Sequence, residues 1–126
     1  MPTLNQAPTE GDVLKFDLEK NYTREAVTLL AGTAYPVGAV LGRITANGKY
    51  TLSPATGSDG SQTAVAVLIE AVDATAGDRT GVVVTRGPAI VSRGALTYHA
   101  SVDDAAKREA KWGQLAAVGI VARANA

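Results

Sequence analysis

The 126-residue chain has no cysteine, one histidine, one tryptophan and one phenylalanine, and each shortage closes a class of function. Without Cys there is no disulfide and no thiolate metal site. With His99 as the sole imidazole, no two-His zinc or iron site can be assembled. Few aromatics leave a core of Val, Ala, Leu and Ile, whose smaller members bury little area each, so added stabilisation by self-association is expected. An excess of one charge is also missing: twelve basic and twelve acidic residues cancel, and no block of like charge stands out. Neither nucleic acid nor an anionic membrane surface is therefore an expected partner. The most apolar run, "TAVAVLIEAV", is short and broken by Glu70. The start, "MPTLNQAPTEG", lacks a basic region followed by an apolar one, so no export signal or membrane span is expected.

What is present fits a single folded domain. Residues 1 to 11 are rich in Pro, Thr, Asn, Gln and Gly, the composition of a mobile terminus. A flexible arm over residues 1–20 and a β-rich domain over residues 21–126 follow as the expected organisation. In "DVLKFDLEK", Leu14, Phe16 and Leu18 alternate with Lys15 and Asp17, the period of two that gives a strand one apolar face. It is either an edge strand of the domain itself or a strand completed when a partner supplies its neighbour.

From "REAVTLLAG" onward, short runs of Val, Leu, Ile and Thr are separated by Gly, Asn, Asp and Pro, which reads as β throughout. Asn47-Gly48 predicts a two-residue turn with positive φ at both positions, pairing residues 39–45 with 49–52. "SPATGSDGSQ" is loop by composition. Two apolar strands are expected in "TAVAVLIEAVDATAGDRTGVVVTRG", two short ones in "GPAIVSRGALTYHA", and a last one in "AVGIVAR". A short helix is expected near residues 102–112, capped by Ser101 with Asp104 and stopped by Gly113. Its outer arc would carry Asp103, Asp104, Lys107, Arg108 and Lys111, and its apolar stripe Val102, Ala105, Ala106 and Trp112, with Glu109 as a charged intruder.

Convergent chemistry is thin. Ser92 or Ser101 with His99 and Asp103 would give a Ser-His-Asp set, but neither serine lies in a Gly-x-Ser-x-Gly elbow, and His99 reads as a strand-end residue. The loops "SDGSQ" and "DATAGD" lack the ligand spacing of a calcium loop and read as turns. Gly32, Gly38 and Gly42 form no phosphate-binding pattern. Arg79, Arg86 and Arg93 are scattered singly, as surface or interface arginines are. The expectation is a protein without catalytic residues, metal ligands or cofactor.

The order of "YTREAVTLLAG", "YPVGAVLGRITANGKYTL", "DGSQTAVAVLIEAVDATAGD", "VVVTRGPAIV", an Ala and charge rich helix and "LAAVGIVAR" resembles the bacteriophage head decoration proteins of the lambda protein D type, over roughly residues 22–123. That resemblance implies a mainly β, β-clip-like fold with a small helical part, and a homotrimer on the outside of the virion. Such trimers sit at local three-fold positions of the expanded head and hold the shell against internal DNA pressure. It implies the phage major capsid protein as partner, with an N-terminal arm that orders on the capsid. In this sequence Leu14, Phe16 and Leu18 are the corresponding capsid-binding candidates. Arg86, Arg93, Glu109 and Trp112 are the candidates for the trimer interface. Two other readings stay open: a non-viral β-rich module that recognises carbohydrate or protein, with Trp112 as its stacking residue, and a small hydrolase using His99.

Overall fold

Runs such as "AVAVL" show no polar alternation because both faces of the strand are covered. In the computed structural model, which describes residues 13–124, the elements are β1 (Leu14–Asp17), a single helical turn α1 (Lys20–Thr23), β2 (Arg24–Leu29), β3 (Ala34–Tyr35), β4 (Val40–Arg43), β5 (Tyr50–Leu52), β6 (Ala64–Leu68), β7 (Val72–Asp73), β8 (Arg79–Val84), β9 (Ala89–Ser92), a 3-10 turn (Arg93–Ala95), α2 (Ala105–Ala117) and β10 (Ile120–Arg123). Five strands close a barrel in the order β2-β5-β4-β6-β8, while β1-β9-β10 form a three-stranded sheet and β3-β7 a small ribbon. The chain is thus mainly β with one helix longer than a turn, as expected.

Two cores use alternate residues of the same strands. Leu41, Ala66, Leu68 and Val83 fill the barrel with Leu29 and Tyr35. Their neighbours Val40, Val67 and Val84 point outward, into a second core with Val91, Leu115 and Ile120 from β9, α2 and β10. Burying each Leu or Ile contributes about 1.5–3 kcal/mol, and sharing the barrel wall between two cores compensates for the scarcity of aromatics. Gly42 lies where a Cβ would come within 1.9 Å of the Ser61 carbonyl oxygen, so the loop after β5 can lie directly on β4 only because no side chain intervenes.

Of the arm expected over residues 1–20, residues 1–12 lie outside the described ones. Val13 is fully buried in the second core, and β1 pairs antiparallel with β9 through Leu14↔Val91, Phe16↔Ile90 and Asp17↔Ala89. The Asp17 carboxylate accepts from Thr23 Oγ1 at 2.8 Å and Arg24 Nε at 3.0 Å, which ties the end of β1 to the start of β2.

Several local expectations need correction. The hairpin of β4 and β5 forms, with Leu41↔Leu52 and Arg43↔Tyr50, but its turn is longer than two residues. Ile44 N donates to Lys49 O and Gly48 N to Ile44 O, and Gly48 alone has positive φ, 72°. The second short strand expected in "GPAIVSRGALTYHA" is absent, its place taken by the 3-10 turn and one isolated bridge, Ala39↔Thr97. α2 is capped by Asp104, whose side chain accepts from Lys107 N at 2.8 Å. The helix runs through Gly113 to Ala117, and Gly119, with φ 85°, follows its end. Glycine costs a helix interior about 1 kcal/mol, less than the burial of Leu115 in the next turn contributes.

Candidate interaction surfaces

The groups that suggested chemistry are engaged locally. His99 Nδ1 accepts from Ser101 N at 3.0 Å and lies 2.8 Å from Ser101 Oγ, and that hydroxyl accepts from Ala55 N at 2.9 Å. The pair closes a two-residue turn, while Asp103 turns away to Lys107 Nζ at 2.9 Å. Asp59 accepts from Ser61 N and Oγ at 2.9 and 2.6 Å, and Asp73 from Thr75 N and Oγ at 3.0 and 2.7 Å. These hydrogen bonds hold both carboxyls below the ordinary 3.8. Each Asp thereby makes a turn.

The outward arc assigned to α2 is wrong at Lys111. Its side chain is buried, and Nζ donates to Ser53 Oγ at 2.9 Å, Pro54 O at 2.6 Å and Gln62 O at 2.6 Å. Three neutral oxygens satisfy its three protons, and burial lowers its pKa. Gln114 accepts from Ala64 N at 2.7 Å. Lys111 and Gln114, with Ser101, therefore fasten the 53–64 segment to the helix region. Ala105, Ala106 and Glu109 are exposed instead, so the apolar stripe expected there is rotated toward Lys111 and Leu115, with Trp112 half-buried at its edge.

What remains at the surface is adhesive in character. Phe16 is 46% exposed, Leu18 62%, Tyr22 56% and Val121 43%, the largest exposed apolar side chains among the described residues. Phe16 and Val121 are both register partners of Ile90, so the three form one apolar row across the outer face of the three-stranded sheet. Leu14 is the exception among the strand candidates, because it packs against the second core.

Beside that row, Arg93 bonds Ala122 O through Nε at 2.9 Å and lies 4.0 Å over the Trp112 ring. Trp112 Nε1 donates to the Tyr98 hydroxyl at 2.8 Å, and Arg108 lies 5.7 Å over the Tyr98 ring. Burial, ahead of the other influences, raises the Tyr98 pKa. The Arg93-Trp112 wall divides two open grooves, one of ≈ 370 Å³ shared with Glu109, Ala116 and Val121, the other of ≈ 440 Å³ shared with Leu96, Tyr98 and Arg108. Arg93, Glu109 and Trp112 thus converge as the sequence grouped them. Arg86 does not: it sits on the barrel side, bonded to Tyr22 O and, at 3.1 Å, to Glu25 Oε2.

Tyr98, Arg108 and Val121 belong to this surface and sequence reasoning did not select them. A helix drawn through Gly113 would have flagged Lys111, four residues before Leu115 on the buried face. Nothing in the local pattern places Tyr98 against Trp112, since that contact joins a loop to a helix.

A family model described as bacteriophage lambda head decoration protein D matches residues 3–120. No curated protein matches the chain.

Proposed function

The chain belongs to the bacteriophage lambda head decoration protein D family, and we propose that it works as a homotrimer that binds the expanded head and stabilises it against internal DNA pressure. Membership carries the coarser statement, a structural protein of the phage head. The family match over residues 3–120 is the single observation that carries the reading. The finer reading adds the major capsid protein as partner, the outer surface of the virion as location and the host bacterial cytoplasm as the place of synthesis.

The surface chemistry supports adhesion. Phe16 and Leu18 present an apolar edge to the capsid, with Leu14 behind them holding the strand to its own core. The groove of Arg93, Glu109, Trp112 and Val121 offers both charges and an apolar floor, the composition expected of a contact between copies. Three copies bound together gain by multivalency, so each contact can be weak while the trimer stays attached. A sugar-binding role for Trp112 is disfavoured because the Arg93 guanidinium covers one ring face at 4.0 Å. Mixing the purified protein with expanded and unexpanded empty heads and pelleting them tests the proposal. Co-sedimentation with expanded heads alone is expected, together with a trimer mass in solution. A monomer that ignores expanded heads ends it.

A further inference from the structure

The two grooves on either side of Trp112 differ in charge. On the β10 side Glu109 stands with Arg93. On the other side the lining is Arg93, Gly94, Leu96, Tyr98, Ala105, Arg108 and Trp112, with two cations and no acid. Among the described residues the ion pairs are Arg24–Asp17, Lys49–Asp78, Arg86–Glu25 and Lys107 with Asp103 and Asp104, so neither Arg93 nor Arg108 has a carboxylate partner. Of the acids near Arg108 in sequence, Asp103 and Asp104 are paired with Lys107, and the adjacent Glu109 lines the other groove.

Arg93 is nevertheless held in place by its Nε bond to Ala122 O and by the Trp112 face, and Arg108, although exposed, lies over the Tyr98 face. Tyr98 and Trp112 are locked to each other by their own hydrogen bond. A cation positioned on a ring has already given up rotamer freedom, so it meets an incoming anion at reduced entropic cost. The outer edge of the Arg93 guanidinium keeps the paired N–H geometry that suits a carboxylate.

We propose that this groove receives an extended acidic segment of the shell protein, with carboxylates on Arg93 and Arg108 and an apolar side chain between them. The proposal rests on the decoration reading above and names the chemistry of one of its contacts. A nucleic acid strand is the poorer fit, because it would need basic residues tracking several phosphates, whereas the chain is neutral overall and the groove offers two cations.

Trp112 is the only tryptophan, so its emission reports on the groove directly. Titration with an acetylated, amidated Glu-Leu-Glu-Leu-Glu peptide should give a saturable emission change, absent with the Lys-Leu-Lys-Leu-Lys counterpart. Arg108→Glu should weaken both that response and pelleting with expanded heads at least about tenfold, and Arg108→Lys should retain most of each. Sedimentation of Arg108→Glu should match wild type, since Arg108 is outside the groove assigned to self-association. Equal binding of both peptides, competition by an eight-residue oligothymidylate, or wild-type pelleting by Arg108→Glu would each overturn the proposal. Wild-type protein that binds the acidic peptide but ignores expanded heads would overturn the shell as the source, and the decoration reading with it.

Discussion

Burying an ammonium with no acid beside it is costly, and Lys111 is tolerated because three oxygens converge on it. Two of them are backbone carbonyls of the 53–63 loop, and the third, Ser53 Oγ, itself donates to Ser61 O at 2.7 Å. Lys111→Met keeps the side-chain length and leaves those acceptors unpaired. The expected result is a loss of about 2–3 kcal/mol in urea unfolding, with amide exchange accelerated over residues 53–63. Unchanged stability would mean that Ser101 and Gln114 hold the loop unaided. A helical wheel continued through Gly113 puts Lys111 on the buried face with Leu115, but it cannot show the three oxygens that make the position tolerable, because another segment supplies them.

At the scale of elements, α2 shows how a stop signal is overruled. Gly113 lies in the helix with negative φ, and nothing lies within 4 Å of where its Cβ would be. Gly113→Ala should therefore stabilise the protein by about 0.5–1 kcal/mol, read as a higher Tm, and a lower Tm would contradict the described helix. The same competition explains the other boundary errors. Asp104 displaced Ser101 as the cap because Ser101 is bound to His99 and Ala55 N. The Asn47-Gly48 turn lengthened because Thr45 N is claimed by Asp59 O from the neighbouring loop. Strand identity, in contrast, was legible for β2, β4, β5, β6, β8, β9 and β10. Their apolar runs are long enough, and their turn residues distinct enough, that no tertiary contact had to choose between alternatives.

At the scale of the whole molecule, the entry of the N-terminal segment decides how the protein can be cut. Val13 is buried in the second core, and β1 covers one edge of β9. Removing residues 1–20 should lower the urea midpoint markedly, whereas the Pro-, Thr- and Gly-rich composition of residues 1–11 predicts that removing them alone leaves the midpoint nearly unchanged. If both truncations melt like the full chain, the strand pairing of Leu14–Asp17 contributes nothing to the fold. Pelleting with expanded heads by the shorter truncation then separates what Phe16 and Leu18 do from what the preceding residues do.

By itself the sequence determined that the chain would be a β-rich domain with one amphipathic helix and no disulfide or two-His metal chemistry, because composition, periodicity and turn residues act locally. Its segment order also carried the family. Only the tertiary structure decided which way α2 faces, that Lys111 is an internal anchor, and that Arg93, Trp112, Tyr98 and Arg108 form one surface. Those outcomes depend on contacts between residues 10 to 58 apart in sequence, where the energy of packing and of satisfying buried polar groups exceeds any local preference.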